Sequence, residues 1–139
     1  MVTFSIKNGM AVKGDNEADE SITELVMNLL HSSIVTHIMH WQTESYAQHV
    51  ALGEFYQAMP DLVDGVVEAY QGKNNVILVK FPIEMDSYED MTPLLYMEYL
   101  NQELYECRGL FGDDSEIQNL VDEIADLIDT TIYKLRRFK

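Results

Sequence analysis

Residues 36–72 read THIMHWQTESYAQHVALGEFYQAMPDLVDGVVEAYQG. This stretch holds three of the four histidines, the only tryptophan and a run of carboxylates at helical spacing. Gln42 to Tyr46 is a polar turn, and Ser45 is placed to cap the helix that follows, since its hydroxyl can accept from a free first-turn amide. From about Ala47 to Tyr70 the pattern is two-sided. Leu52, Phe55, Tyr56, Met59, Leu62, Val63, Val66 and Tyr70 recur on one face; Glu54, Gln57, Asp61, Asp64 and Glu68 recur on nearly the opposite one. Gly72 is the expected stop. Pro60 removes one backbone hydrogen bond and predicts a kink, or a helix in two pieces.

Toward the N-terminus, Ser21 and Glu24 have the spacing of a capping box opening a first helix. Ile22, Val26, Leu29, Ser33, His37 and His40 share one stripe of it. Leu25, Leu30, Ile34, Ile38 and Trp41 widen the apolar face, which predicts a helix buried on more than one side. His31 points the other way and reads as a surface residue. Residues 1–18 carry no helical period and read as an extended arm before a helical domain over 19–139. Toward the C-terminus, Lys73 to Asp90 breaks the pattern: VILVKF is β-like, Pro82 follows, and a short helical turn is expected near Asp86 to Glu89. Thr92-Pro93 starts a third helix, proline suiting a first-turn position. Met97, Leu100, Leu104, Cys107 and Phe111 form its core stripe. A tight link at 112–115 leads to a fourth helix, about Glu116 to Arg137. Ile117, Leu120, Val121, Ile124, Ile128, Thr131 and Leu135 face inward there, and Lys134, Arg136 and Arg137 complement the dipole of its last turn. The expected class is all-α. A short, a long and a short connection, with the long crossover between the second and third helices, give the connectivity of a ferritin-like four-helix bundle.

The chain has 139 residues, which suits one domain with a single core. With 24 acidic and 9 basic residues its net charge is −15, so it repels nucleic-acid phosphates and anionic membranes and attracts cations. No apolar run approaches the roughly 18–20 residues of a membrane span. The N-terminal stretch lacks the apolar core of a secretory signal, and the single cysteine, Cys107, allows no intrachain disulfide. A cytoplasmic protein without nucleic-acid or membrane partners is the expectation.

Imidazole and carboxylate donors without thiolate suit iron, manganese or zinc. A di-iron site inside one bundle needs inward acids and Glu-x-x-His pairs. No Glu-x-x-His occurs, and Asp122, Asp126 and Asp129 fall opposite the apolar face of the fourth helix. A site shared between chains passes this test. His40 ends the first helix and His49 begins the second, whereas Asp64 lies fifteen positions further on, about 22 Å at 1.5 Å per residue. One chain's histidines therefore meet Asp64 and Glu68 only across a two-fold axis, from a second copy.

These residues carry a resemblance. His40-Trp41, His49, and Asp64 with Glu68 resemble the motif of the Dps-like mini-ferritins within the ferritin-like superfamily. The turn between the histidines is shorter than the family's usual one, and His37, twelve positions before His49, has the family's usual separation. The resemblance implies a ferroxidase that binds Fe(II) at a two-fold interface, with His40 (or His37) and His49 from one subunit and Asp64 and Glu68 from its partner. Trp41 would pack beside the site. It further implies at least a dimer, up to a dodecameric shell, in a bacterial or phage-infected cell. The alternative from another class is a non-catalytic helical interaction protein that keeps the fold without the metal site. A metal-dependent hydrolase or oxygenase would need a pocket that the sequence does not reveal.

Overall fold

The computed structural model describes residues 12–14 and 17–139, with side chains from Glu20 onward. Most of the expected arm, residues 1–18, lies outside the described residues. The class is all-α: four helices, α1 (Glu17–Gln42), α2 (Tyr46–Asn74), α3 (Pro93–Cys107) and α4 (Ser115–Arg137), account for most of the chain. A four-residue 3₁₀ turn, Arg108–Phe111, closes α3. The β-like reading of the segment after α2 survives as one short pairing: β1 (Val12–Gly14) lies parallel to β2 (Val76–Leu78).

Local chemistry sets the helix ends. Ser45 caps α2 by accepting from the Gln48 amide at 3.2 Å, and Thr92 caps α3 by accepting from Leu95. Helix α2 runs through Pro60 as one piece, so the two-piece alternative is excluded. It also runs past Gly72. Its cap is Asn75 in the left-handed conformation at φ 50°, a role asparagine fills at helix ends. Helix α1 starts at Glu17, four positions before the predicted capping serine. No helical turn forms at Asp86 to Glu89.

The core is assembled from the stripes expected. Leu52, Phe55, Met59, Val63 and Val66 of α2 meet Ile22, Val26 and Leu29 of α1, Met97, Leu100 and Leu104 of α3, and Ile117, Val121, Ile124 and Ile128 of α4. Each fully buried aliphatic side chain contributes roughly 1.5–3 kcal/mol. Ion pairs fix helix directions. Lys73 near the end of α2 pairs with Asp114 and Glu116 at the start of α4, and Lys134 near the end of α4 reaches Glu54 at 2.6 Å. The two helices are therefore antiparallel. Arg108 after α3 meets Asp122 of α4, and Arg136 meets Glu98 near the start of α3, so α3 and α4 are antiparallel as well.

One departure bears on function. Among the described residues the outer flank of α1 is only partly covered: Ile34 is 58% exposed, Ile38 42% and Trp41 68%, with Leu30 on the same stripe. The expectation of a helix buried on more than one side fails for these four, while Leu25 is buried. His31 is half-buried rather than a plain surface residue. It sits 6.3 Å from the Tyr88 ring, and burial lowers its pKa against an opposing pull from Asp86. The stripe of α3 is not purely apolar either. Glu103 accepts from Asn28 of α1 through one carboxylate oxygen, and its other oxygen is buried without a hydrogen-bond partner.

Candidate metal centre

The turn between α1 and α2 is three residues long, Thr43 to Ser45. Its backbone closes because the Thr43 amide returns to the Met39 carbonyl, Thr43 Oγ1 accepts from the Ser45 amide, and the same hydroxyl donates to Gln48 Oε1 at 2.7 Å. This tight closure brings His40 and His49 face to face, with ring centroids 3.7 Å apart and planes within 15°.

Their hydrogen bonds are reciprocal. His40 Nδ1 donates to the His49 carbonyl at 2.6 Å, and His49 Nδ1 donates to the His40 carbonyl at 2.8 Å. The His40 carbonyl lies in the last turn of α1, where carbonyls lack helical partners, so His49 also closes that helix end. A carbonyl can only accept, so both Nδ1 atoms carry hydrogen. In each neutral ring the lone pair is then on Nε2, the arrangement in which a backbone carbonyl orients a metal-ligating imidazole.

The rest of the cluster is aromatic. His37, one turn earlier on α1, stacks on Tyr56 of α2 at 3.8 Å and 9°, and lies 4.3 Å from the Trp41 ring. Tyr56 turns its edge to His40 at 5.3 Å, and Tyr46 lies 6.2 Å from His49. No hydrogen bond is recorded to the His37 ring among the described residues. His40, not His37, is therefore the histidine that pairs with His49 in one chain.

Two residues given no part in the site from the sequence, Tyr56 having been placed in the core stripe, shape this cluster. Gly53 and Tyr56 lie four and seven positions after His49, on its side of α2, and that spacing is the signal that could have found them. Gly53 leaves room for the imidazole: a β-carbon there would sit 3.1 Å from His40 Cε1 and 3.3 Å from its Nδ1. Gly53→Ala should keep α2 helical, alanine being favoured by about 1 kcal/mol in a helix interior, while displacing the His40 ring. The expected result is loss of the hydrogen-bonded Nδ1–H signals of both histidines in a nitrogen-correlated NMR spectrum, with circular dichroism unchanged. Unaltered imidazole signals would contradict the packing described.

Asp64 and Glu68 lie exposed on the outer side of α2, in line with Gln57 and Asp61. Because α2 is one continuous helix, Asp64 remains about 22 Å along it from His49. Glu54, on the same side, is engaged by Lys134. The sequence-predicted residues thus form two groups, His37, His40 and His49 at one end and Asp64 with Glu68 at the other. Among the described residues no three His, Cys, Asp or Glu side chains gather closely enough to hold a metal within one chain. A groove of about 750 Å³ runs between α3 and α4 beside Asn101, Tyr133 and Arg137, away from the histidines. No described helix is long and apolar enough to cross a membrane.

Comparison with known proteins returns no match among curated proteins and none among solved structures. Residues 40–135 match the model of a family described as a family of unknown function (DUF5856). The matched span takes in His40, His49, Gly53, Asp64 and Glu68 and leaves His37 outside. That span exceeds half of the sequence, and the chain belongs to this family.

Proposed function

We propose that this chain is a Dps-like iron-binding protein that oxidises Fe(II) at a site completed between two copies. The observation that carries the reading is the reciprocal pair: His40 and His49 are each held by a backbone carbonyl through Nδ1, which reserves Nε2 for an outside partner. Two imidazoles alone make an incomplete ligand set. The carboxylates of Asp64 and Glu68 supply the oxygen donors that suit iron, from a second copy whose α2 runs antiparallel across a two-fold axis. In this reading the helices form a ferritin-like bundle, and the segment between α2 and α3 is its long crossover.

The surface next to the histidines supports association. The exposed side chains Leu30, Ile34, Ile38 and Trp41 of α1 lie along one stripe beside the cluster, and Tyr46 and Val50 of α2 are exposed at its far edge. An apolar stripe of this kind is covered by a partner more often than left in water. Asp64 and Glu68, an i, i+4 pair of like charge, repel each other until a cation lies between them. The net charge of −15 raises the local concentration of Fe(II), which is here the substrate. A dimer is the minimal working unit, and the dodecameric shell of the resembling family would extend it. The same donor set accommodates manganese or zinc without redox turnover.

That no three-ligand group forms among the described residues of one chain favours a second reading, a helical interaction protein with no metal chemistry. Light scattering combined with Fe(II) addition under peroxide or oxygen separates the two. The ferroxidase reading requires a dimer or larger, bound iron per subunit, and Fe(III) formation above the protein-free rate. A self-associating protein that leaves Fe(II) oxidation at background would establish the second reading instead.

A further inference from the structure

The segment between α2 and α3 is held to the helices at few points. From Phe81 to Asp90 most side chains are exposed, whereas Tyr88 and Met91 pack against the core. Tyr88 is the anchor, and its backbone is strained. Its φ is 53°, a left-handed value that bulky side chains rarely adopt. Such a conformation persists where surrounding contacts impose it. Those contacts are the Tyr96 ring at 4.9 Å, the Tyr99 ring at 5.7 Å and the His31 ring of α1 at 6.3 Å. The Tyr88 and Tyr99 side chains also share a hydrogen bond. Beneath the segment lies a cleft of about 130 Å³, walled by His31, Val35, Met39 and Gln42 of α1 and by residues 86–89 and Met91.

We propose that the segment from Lys80 to Met91 is a strap over α1 that a positive charge on His31 releases. From the strap, Asp86, Tyr88 and Glu89 face His31 across the cleft. Behind the Tyr88 ring stand Tyr96, Tyr99 and Glu103 of α3. Burial pushes the Tyr88 and Tyr96 phenols well above the usual tyrosine value, so neither changes charge near neutrality. Of these groups, His31 has the side chain whose ordinary titration falls between about pH 5 and 8. Burial lowers its pKa, and Asp86 opposes with a smaller upward pull. The closed strap therefore favours the neutral imidazole. With the strap open, His31 returns to solvent and to its ordinary value of about 6.5. Closure is at full strength above that value and weakens as pH falls through it. Opening relaxes the Tyr88 backbone and bares Met39 and Met91. Ile34 and Ile38 line the same cleft, so release in acid removes one wall of the surface assigned to a second copy. That consequence alone rests on the proposed function.

Methionine oxidation reads the strap without iron and without association. Chelator-treated protein is exposed to dilute peroxide at about pH 7.5 and about pH 5.5, either side of the histidine range. Peptide mass spectrometry then locates the sulfoxides. Met39 and Met91 should oxidise several-fold faster at the lower pH. Met59 and Met97, both 0% exposed, should stay protected at either. His31→Gln, neutral throughout, should abolish the difference, and Asp86→Asn, which removes the opposing pull, should enlarge it. No acceleration in the parent, equal acceleration in His31→Gln, or a smaller difference in Asp86→Asn would each overturn the strap. Acceleration shared by Met59 and Met97 would mark general unfolding and overturn it as well. Failure to oxidise Fe(II) would count against the proposed function alone, since the methionine pattern decides the strap by itself.

Discussion

Ile34→Asp combined with Ile38→Asp should convert the protein to a monomer and silence iron oxidation without touching a ligand. Both side chains stand outside the buried core, 58% and 42% exposed on the outer flank of α1, so helicity should stay near the parent value and thermal stability should fall only modestly. In the proposed dimer their contribution lies in the contact with a second copy, where covering an isoleucine is worth roughly 1.5–3 kcal/mol. Two carboxylates at the same positions lose that gain and add charge facing an equivalent charged surface across the two-fold axis. The dimer dissociation constant should rise by at least about a hundredfold, close to 3 kcal/mol. Light scattering across a dilution series reads the first effect, and Fe(III) formation reads the second. A variant that dissociates yet oxidises Fe(II) at the parent rate would place the chemistry within one chain.

The second large effect is expected from Asp64→Asn with Glu68→Gln. Both side chains are exposed, and among the described residues neither makes a hydrogen bond or ion pair, so the substitutions remove charge while keeping shape. Fe(II) oxidation should fall to the protein-free rate. Stability should hold or rise by a few tenths of a kcal/mol, because an unfavourable i, i+4 carboxylate pair is neutralised. This opposition of sign separates the proposal from a structural role. Residues that support the fold lose activity and stability together, whereas these should lose only activity. Parent-level oxidation in the double variant would remove α2's acidic stripe from the site.

Much of the helical plan is readable because its determinants are local. Ser45 and Thr92 announce their caps, and the stripe of Ile117, Val121, Ile124 and Ile128 announces the buried face of α4. The helix ends that were misplaced depend on contacts the local pattern does not carry. Asn75, rather than Gly72, closes α2 because its left-handed backbone lets its amide return to the Gln71 carbonyl, and β2 follows at once. The flank of α1 was misread for a different reason. Hydrophobic periodicity reports that a face avoids water and does not say whether the covering surface belongs to the same chain. Ile34, Ile38 and Trp41 satisfy the pattern of a core stripe and lie on the surface of the single chain.

The candidate site divides in the same way. The separation of His49 from Asp64 is fixed by helical rise and could be counted from the sequence. The meeting of His40 with His49 depends on how a three-residue turn closes, and the hydrogen bonds of Thr43, Ser45 and Gln48 that close it are invisible to a periodicity argument. Tyr56 was assigned to the core by its place in the apolar stripe. It sits instead at the edge of that stripe, where α2 meets α1, and its ring faces histidines rather than aliphatic side chains. Gly53 carries no side chain to notice, and its role is the space it leaves for His40.

The central claim, that each site draws its histidines from one chain and its carboxylates from another, is tested most directly by mixing two inactive variants. One carries His40→Ala and His49→Ala, the other Asp64→Asn and Glu68→Gln. Each alone should be inactive. After dissociation and random reassociation in equal amounts, half of the dimers pair one variant with the other, and each such dimer contains one wholly native site and one wholly altered site. Fe(II) oxidation should recover to about a quarter of the parent rate, provided the two sites act independently. A mixture that remains at background, with heterodimers verified by mass, would contradict a site shared between chains.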